Sequence, residues 1–139
     1  MEYGQEGKII VAKLDDGSDF FESLKEIMSE IDQDCGVLVT GIGMLRNFKL
    51  GYYNMESGEY EFEKYEKPME LVSVNGSITE DVSIHMHAEL ADEDHQVIGG
   101  HLKEAEVCNV NEITMIVFDE LKMTKKYDKE LDTDLLTVR

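Results

Sequence analysis

The chain has 139 residues, and 13 lysines and arginines stand against 31 aspartates and glutamates, a formal net charge of −18. A hydrophobic fraction of 42% suits a chain that buries one core and excludes a disordered, polar-rich protein. The charge argues against loose binding to nucleic-acid phosphates, and no apolar run approaches the roughly 18–20 residues of a membrane-spanning helix.

In chain order, Lys8 to Leu14 is a short apolar run that predicts a first strand, ended by the turn Asp15-Asp16-Gly17. Asp19 stands three residues before Glu22, the spacing of a capping box, and Phe20, Leu24, Ile27 and Ile31 then recur at helical spacing. One amphipathic helix is predicted over Asp19–Ile31, its apolar stripe facing the core. From Gly36 the run G-V-L-V-T-G-I-G-M-L is β-branched but broken by glycines, which mark bulges or close backbone approaches. Asn47 to Asn54 and Glu59 to Tyr65 alternate across the turn Met55-Glu56-Ser57-Gly58 and predict two antiparallel strands. Pro68 precedes a further strand through Leu71, Val72 and Val74.

Ser83 to Leu102 holds all four histidines. Ile84, Met86, Ala88 and Leu90 alternate with His85, His87 and Glu89, so the apolar set faces a core and the polar set shares the opposite face. Asp92-Glu93-Asp94-His95 reads as a turn, and Gln96 to Leu102 as a returning strand carrying Gly99-Gly100-His101. Pairing Asp92 with Gln96 around a three-residue loop would set His101 opposite His87, with His85 as its diagonal neighbour on the same face. Three imidazoles so placed can share one divalent ion, zinc first, with nickel, copper or iron also served by imidazole. Such binding fades below about pH 6.5, where a free imidazole takes a proton.

Asn111 to Leu121 is another apolar run, and the last dozen residues are charged and irregular, with Leu135 and Leu136 expected to dock. About seven or eight strands with one principal helix predict an α+β domain, the helix covering one face of a mainly antiparallel or mixed sheet. Residues 1–139 read as one domain, with a core of about 8–127 and a tail of 128–139. Two cysteines, Cys35 and Cys108, are too few for a disulfide framework, and M-E-Y-G-Q-E-G-K lacks the order of a signal peptide. Both features place the expected location in the cytoplasm.

The succession G-I-G-M-L-R, L-G-Y-Y-N, P-M-E-L-V-S-V-N-G-S-I, H-M-H-A-E-L-A-D-E-D and V-I-G-G-H-L resembles the plants-and-prokaryotes-conserved (PPC) domain over about Lys8–Tyr127. The resemblance implies a strongly bent α/β sheet with a helix, assembled as a homotrimer. It also implies a metal site at His85, His87 and His101, and a DNA-binding role as the alternative function. No R-G-R-P-like AT-hook is present, and His95 stands at a turn position that is not carried over as a ligand. Glu89 shares the histidine face and is a candidate fourth ligand, positioning group or general base. Arg46 and Glu70 fall in matched motifs, where Arg46 could hold a small anionic ligand and Glu70 could pair with it. No nucleophile motif or phosphate-binding glycine loop is present, so an enzymatic activity is left open.

Overall fold

Period-two patterning dominates the chain, and nine strands follow from it in the computed structural model, which describes every residue from Met1 to Arg139. They are β1 (Glu2–Glu6), β2 (Ile9–Asp15), β3 (Gly36–Asn54), β4 (Glu59–Tyr65), β5 (Met69–Ile78), β6 (Ile84–Ala91), β7 (Val97–Val117), β8 (Met123–Asp128) and β9 (Thr133–Val138). One helix, α1 (Phe20–Glu30), lies between β2 and β3. Every strand pairing is antiparallel.

The first seven strands form one sheet in the order β1-β2-β7-β6-β5-β3-β4, and β3 also pairs with β7. That extra pairing closes β3, β5, β6 and β7 into a ring, so each of these strands is hydrogen-bonded on both sides. Closure requires the long strands β3 and β7 to bend. Register shifts between Leu38 and Thr40, between Gly43 and Leu45 and between Arg46 and Lys49 supply the bends. Gly43 adopts φ 135°, and a Cβ there would stand 2.1 Å from the Val110 carbonyl oxygen, so only glycine lets the two backbones meet.

The ring encloses the core. Leu38, Leu45, Val74, Met86, Leu90, Leu102 and Val107 point into it and are buried. Helix α1 adds Phe20, Leu24, Ile27 and Met28 to the same cluster and packs against β7. Asp19 caps it by accepting the Glu22 backbone N–H at 3.0 Å, and Ile31 ends it, so the predicted span Asp19–Ile31 is the helix together with its two caps. No helix is long and apolar enough to cross a membrane.

The α+β expectation is corrected here: the protein is mostly β, with a single helix of 11 residues against nine strands. The reason lies in the glycine-broken stretches. They mark bends inside continuous strands, so segments that read as separate fuse into β3 and β7. A sheet that curls onto itself walls its own core and leaves the helix one flank to cover. The residues after 127 are also regular, not irregular: β9 pairs with β8 in a separate two-stranded sheet. Leu135 and Leu136 do not dock within the chain and are 38% and 46% exposed.

Candidate metal centre

Strand β6 shows how alternation builds the site. Met86, Ala88 and Leu90 are buried in the core, while His87 and Glu89 are exposed on the other side and His85 is half-buried. The turn into β7 is a three-residue loop, with the Asp92 backbone N–H donating to the Gln96 carbonyl at 3.1 Å. The Asp92 carboxylate accepts the backbone N–H groups of Asp94 and Gln96, each at 2.9 Å. His95 closes the turn at φ 62°, the left-handed position such loops need. It serves the turn and lies outside the cluster. The register that follows sets His87 opposite His101, as the three-residue loop predicts.

On the outer face His85, His87 and His101 each bring one ring nitrogen within 4.8 Å of the others. The Nε2 atoms of His85 and His87 are 3.2 Å apart. Two donors of a tetrahedral zinc, with bonds near 2.0–2.1 Å, are separated by roughly 3.3 Å. His101 Nδ1 is buried with no hydrogen-bond partner, a lone pair that a cation would satisfy. Burial pushes the His101 pKa down to about 4, helped by the neighbouring His85 and His87 and by Lys103 and Lys125. Burial likewise lowers the His85 pKa, with Lys125 and His87 adding to it. Both rings are therefore neutral at pH 7 with lone pairs free, the state a metal ligand requires. The donor set fits a divalent ion, and the three residues could hold one.

The surroundings are unequal. On one side Tyr60 and Phe62 of β4 lie over Gly51, their ring centroids 4.9 and 6.3 Å from that of His101. On the other, a cleft of about 230 Å³ is lined by Ser73, Asn75, His87, Glu89 and the glycines 99 and 100. A Cβ on Gly100 would meet the Gly51 carbonyl oxygen at 2.8 Å, so this glycine lets β3 and β7 close up beside His101.

Of the other candidates, Glu89 is beside the cluster, across from Ser73 and Gly99. Arg46 is elsewhere and already engaged. Its Nε donates to Glu106 at 2.7 Å and Nη1 to Asp16 at 3.1 Å, and Asn47 donates to the other Glu106 oxygen at 2.9 Å. These bonds, that to Glu106 first, raise the Arg46 pKa and keep it charged, leaving no free guanidinium for an anion. Glu70 is not among its partners. It is exposed on β5, in register with Met44 and Ala91. Sequence reasoning missed Lys103, Lys125, Tyr60 and Phe62. Lys103 was readable, two residues beyond His101 on one strand; the others reach the site only through tertiary pairing.

A bent, ring-closed antiparallel sheet with a histidine cluster on its outer face defines the class. The model of the Plants and Prokaryotes Conserved (PCC) domain matches residues 1–119, and the chain belongs to that family. A candidate DNA-binding protein from Bacteroides thetaiotaomicron shares the fold at TM-score 0.89 and 20% identity, over 98% of this chain and 96% of that one. A metal-containing protein from Archaeoglobus fulgidus is similar at TM-score 0.82 and 26% identity, over 99% of each chain. A plant- and prokaryote-conserved protein from Pyrococcus horikoshii is similar at TM-score 0.81 and 26% identity, over 98% and 93%. No curated protein matches the sequence.

Proposed function

We propose that this protein binds one divalent metal ion, zinc in first place, on His85, His87 and His101, and presents it to a small ligand as a homotrimer. The carrying observation is the convergence of three imidazoles, one with an orphaned buried nitrogen. The metal-containing Archaeoglobus relative supports it. A bound zinc would supply Lewis acidity to an oxygen donor or to water. The chain's own part is to fix the three rings on two ladder-paired strands, to keep His85 and His101 neutral by burial, and to set the Glu89 carboxylate beside them.

Assembly is supported by a row of apolar side chains pointing away from the core. Ile9 and Val11 on β2, Val39 and Ile42 on β3 and Val72 on β5 are each 47–56% exposed. Ile42 and Val72 share a face because Gly43 pairs with Leu71. An apolar band of this kind marks a surface that another molecule covers. Light scattering should give three times the chain mass, and Ile42→Glu should yield monomers. A wild-type monomer at micromolar concentration overturns the trimer.

Elemental analysis of protein purified without added metal tests the site. Close to one zinc per chain is expected, falling at least about 100-fold in affinity in His85→Ala and His101→Ala proteins that stay folded. Full metal content in those variants overturns the site. The second reading is a DNA-binding regulatory module, favoured by the description of the Bacteroides relative. The charge of −18 opposes it. Fluorescence anisotropy with duplex DNA at physiological salt should show no submicromolar binding, and steeply salt-dependent submicromolar binding would restore this reading.

A further inference from the structure

We propose that the histidine cluster takes a ligand whose metal-binding group carries a flat aromatic ring, and that Tyr60 and Phe62 are the residues that select the ring. The inference rests on the reading of the cluster as a metal site and adds the shape class of what that metal meets.

Strand register puts the aromatic and histidine side chains on one line. Phe62 pairs with Gly51, Gly51 with His101, His101 with His87 and His87 with Asn75, a single row across β4, β3, β7, β6 and β5. Directly paired residues project from the same face of a sheet, so Phe62 and the two histidines leave the same side. Tyr60, two residues from Phe62, joins them, while Glu61 and Glu63 leave the other side. Gly51 has no side chain to stand between the aromatic pair and His101. A Cβ there would meet the Phe62 ring at 2.7 Å and the Tyr60 ring at 3.1 Å, so both rings lean across the glycine. The Tyr60 ring centroid ends 4.9 Å from that of His101.

The two rings lie within 24° of parallel with centroids 5.5 Å apart, and Tyr53 braces Tyr60 edge-on at 5.3 Å. Both rest on the glycine backbone and still remain 41% and 45% exposed, which makes them a small platform of open π-faces. Other exposed tyrosines do not share this place. Tyr52 is 71% exposed but leaves the opposite face of β3 from Gly51, and Tyr127 belongs to the separate β8–β9 sheet. Only Tyr60 and Phe62 pack against a histidine. Three protein ligands leave a fourth position on a tetrahedral ion. A ring attached to the group bound there meets the platform in the offset or edge-on contact, at roughly 4.5–7 Å between centroids, that aromatic pairs prefer. The other flank of the cluster, polar at Ser73, Asn75 and Glu89, offers a ring no such partner.

The test uses the full chain loaded with cobalt(II), whose visible bands respond to a change of ligand. Three probes with one metal-binding group are titrated in turn: benzohydroxamate, cyclohexanecarbohydroxamate and acetohydroxamate. The flat ring should bind about tenfold more tightly than the saturated ring or the methyl group. Tyr60→Leu/Phe62→Leu should abolish that preference while leaving cobalt content and oligomeric mass unchanged. Tyr60→Phe, which keeps the ring, and Tyr52→Leu, on the opposite face, should both retain it. Equal affinity of the three probes for wild type, a preference that survives in the double variant, or an equal loss in Tyr52→Leu each overturns the proposal while the metal site stands. So does a double variant that loses its cobalt, where the rings merely prop His101, or one that changes mass, where they are a contact between copies. Wild-type protein that takes up no cobalt overturns the metal reading and this inference with it.

Discussion

The β6–β7 and β8–β9 hairpins obey the same local chemistry and end in opposite circumstances. Each turn opens on an aspartate whose carboxylate accepts two backbone N–H groups, Asp92 from Asp94 and Gln96, Asp128 from Glu130 and Leu131. Each closes on a residue in the left-handed region, His95 at φ 62° and Asp132 at φ 51°. Yet β6 buries every second side chain, whereas all six residues of β9 are exposed. Turn chemistry therefore makes a hairpin but does not make it rigid. The side chains beneath the histidines fix their spacing, because a slipped register would bring Met86 and Leu90 out of the core.

Removing a core anchor should separate the two hairpins most sharply. Met86→Ala is expected to cost about 2–5 kcal/mol, while Leu136→Ala stays within about 0.5 kcal/mol, both read by denaturant unfolding. Equal effects would mean that β9 is as firmly seated as β6, for example against another molecule.

Acid should act next, first through the histidine hairpin and, nearer pH 4, also through carboxylates such as Asp81 and Glu106 whose pKa values their hydrogen bonds hold down. The folded-state pKa of His101 lies at about 4. An unfolded chain takes up that proton near pH 6.5, so the folded form binds fewer protons between the two values. Metal-free protein should therefore keep its full stability above pH 6.5 and lose about 1–2 kcal/mol as the pH falls to 4, after allowance for partial solvent screening. His101→Gln should flatten that slope. Metal release should likewise be displaced below the ordinary imidazole range, and a midpoint at or above pH 6.5 would count against the burial of His101.

The smallest effect is at the turn. His95→Gly should raise stability by up to about 1 kcal/mol, since glycine takes the left-handed conformation without strain, and should leave cobalt affinity unchanged. A loss of cobalt would show that His95 reaches the cluster after all.

The same contrast explains what was legible in the sequence. The face of β6 and the opposition of His87 and His101 could be read because strict alternation and a short acidic turn specify both locally. Helix α1 was legible for a similar reason, with the Asp19 cap and the Phe20, Leu24, Ile27 stripe lying within a few residues of one another. The continuity of β3 and β7 was not, because a bulge at Gly43 leaves the same trace as the end of a strand. Nor were the partners of Arg46, since Glu106 and Asp16 come to it only when β7 lies along β3. The helix looked principal because its period is conspicuous, while the ring that actually encloses the core rests on pairings between distant segments.

Ring closure also orders the assembly of the protein in time. Gly36 must find Val117 across most of the chain before β3 and β7 pair, a contact of the kind that makes folding slow. His85, His87 and His101 belong to a single hairpin, a unit that forms in microseconds. The three imidazoles are thus expected to be gathered before the walls around them, so that a divalent ion added during refolding would meet the cluster early and speed the closing of the ring.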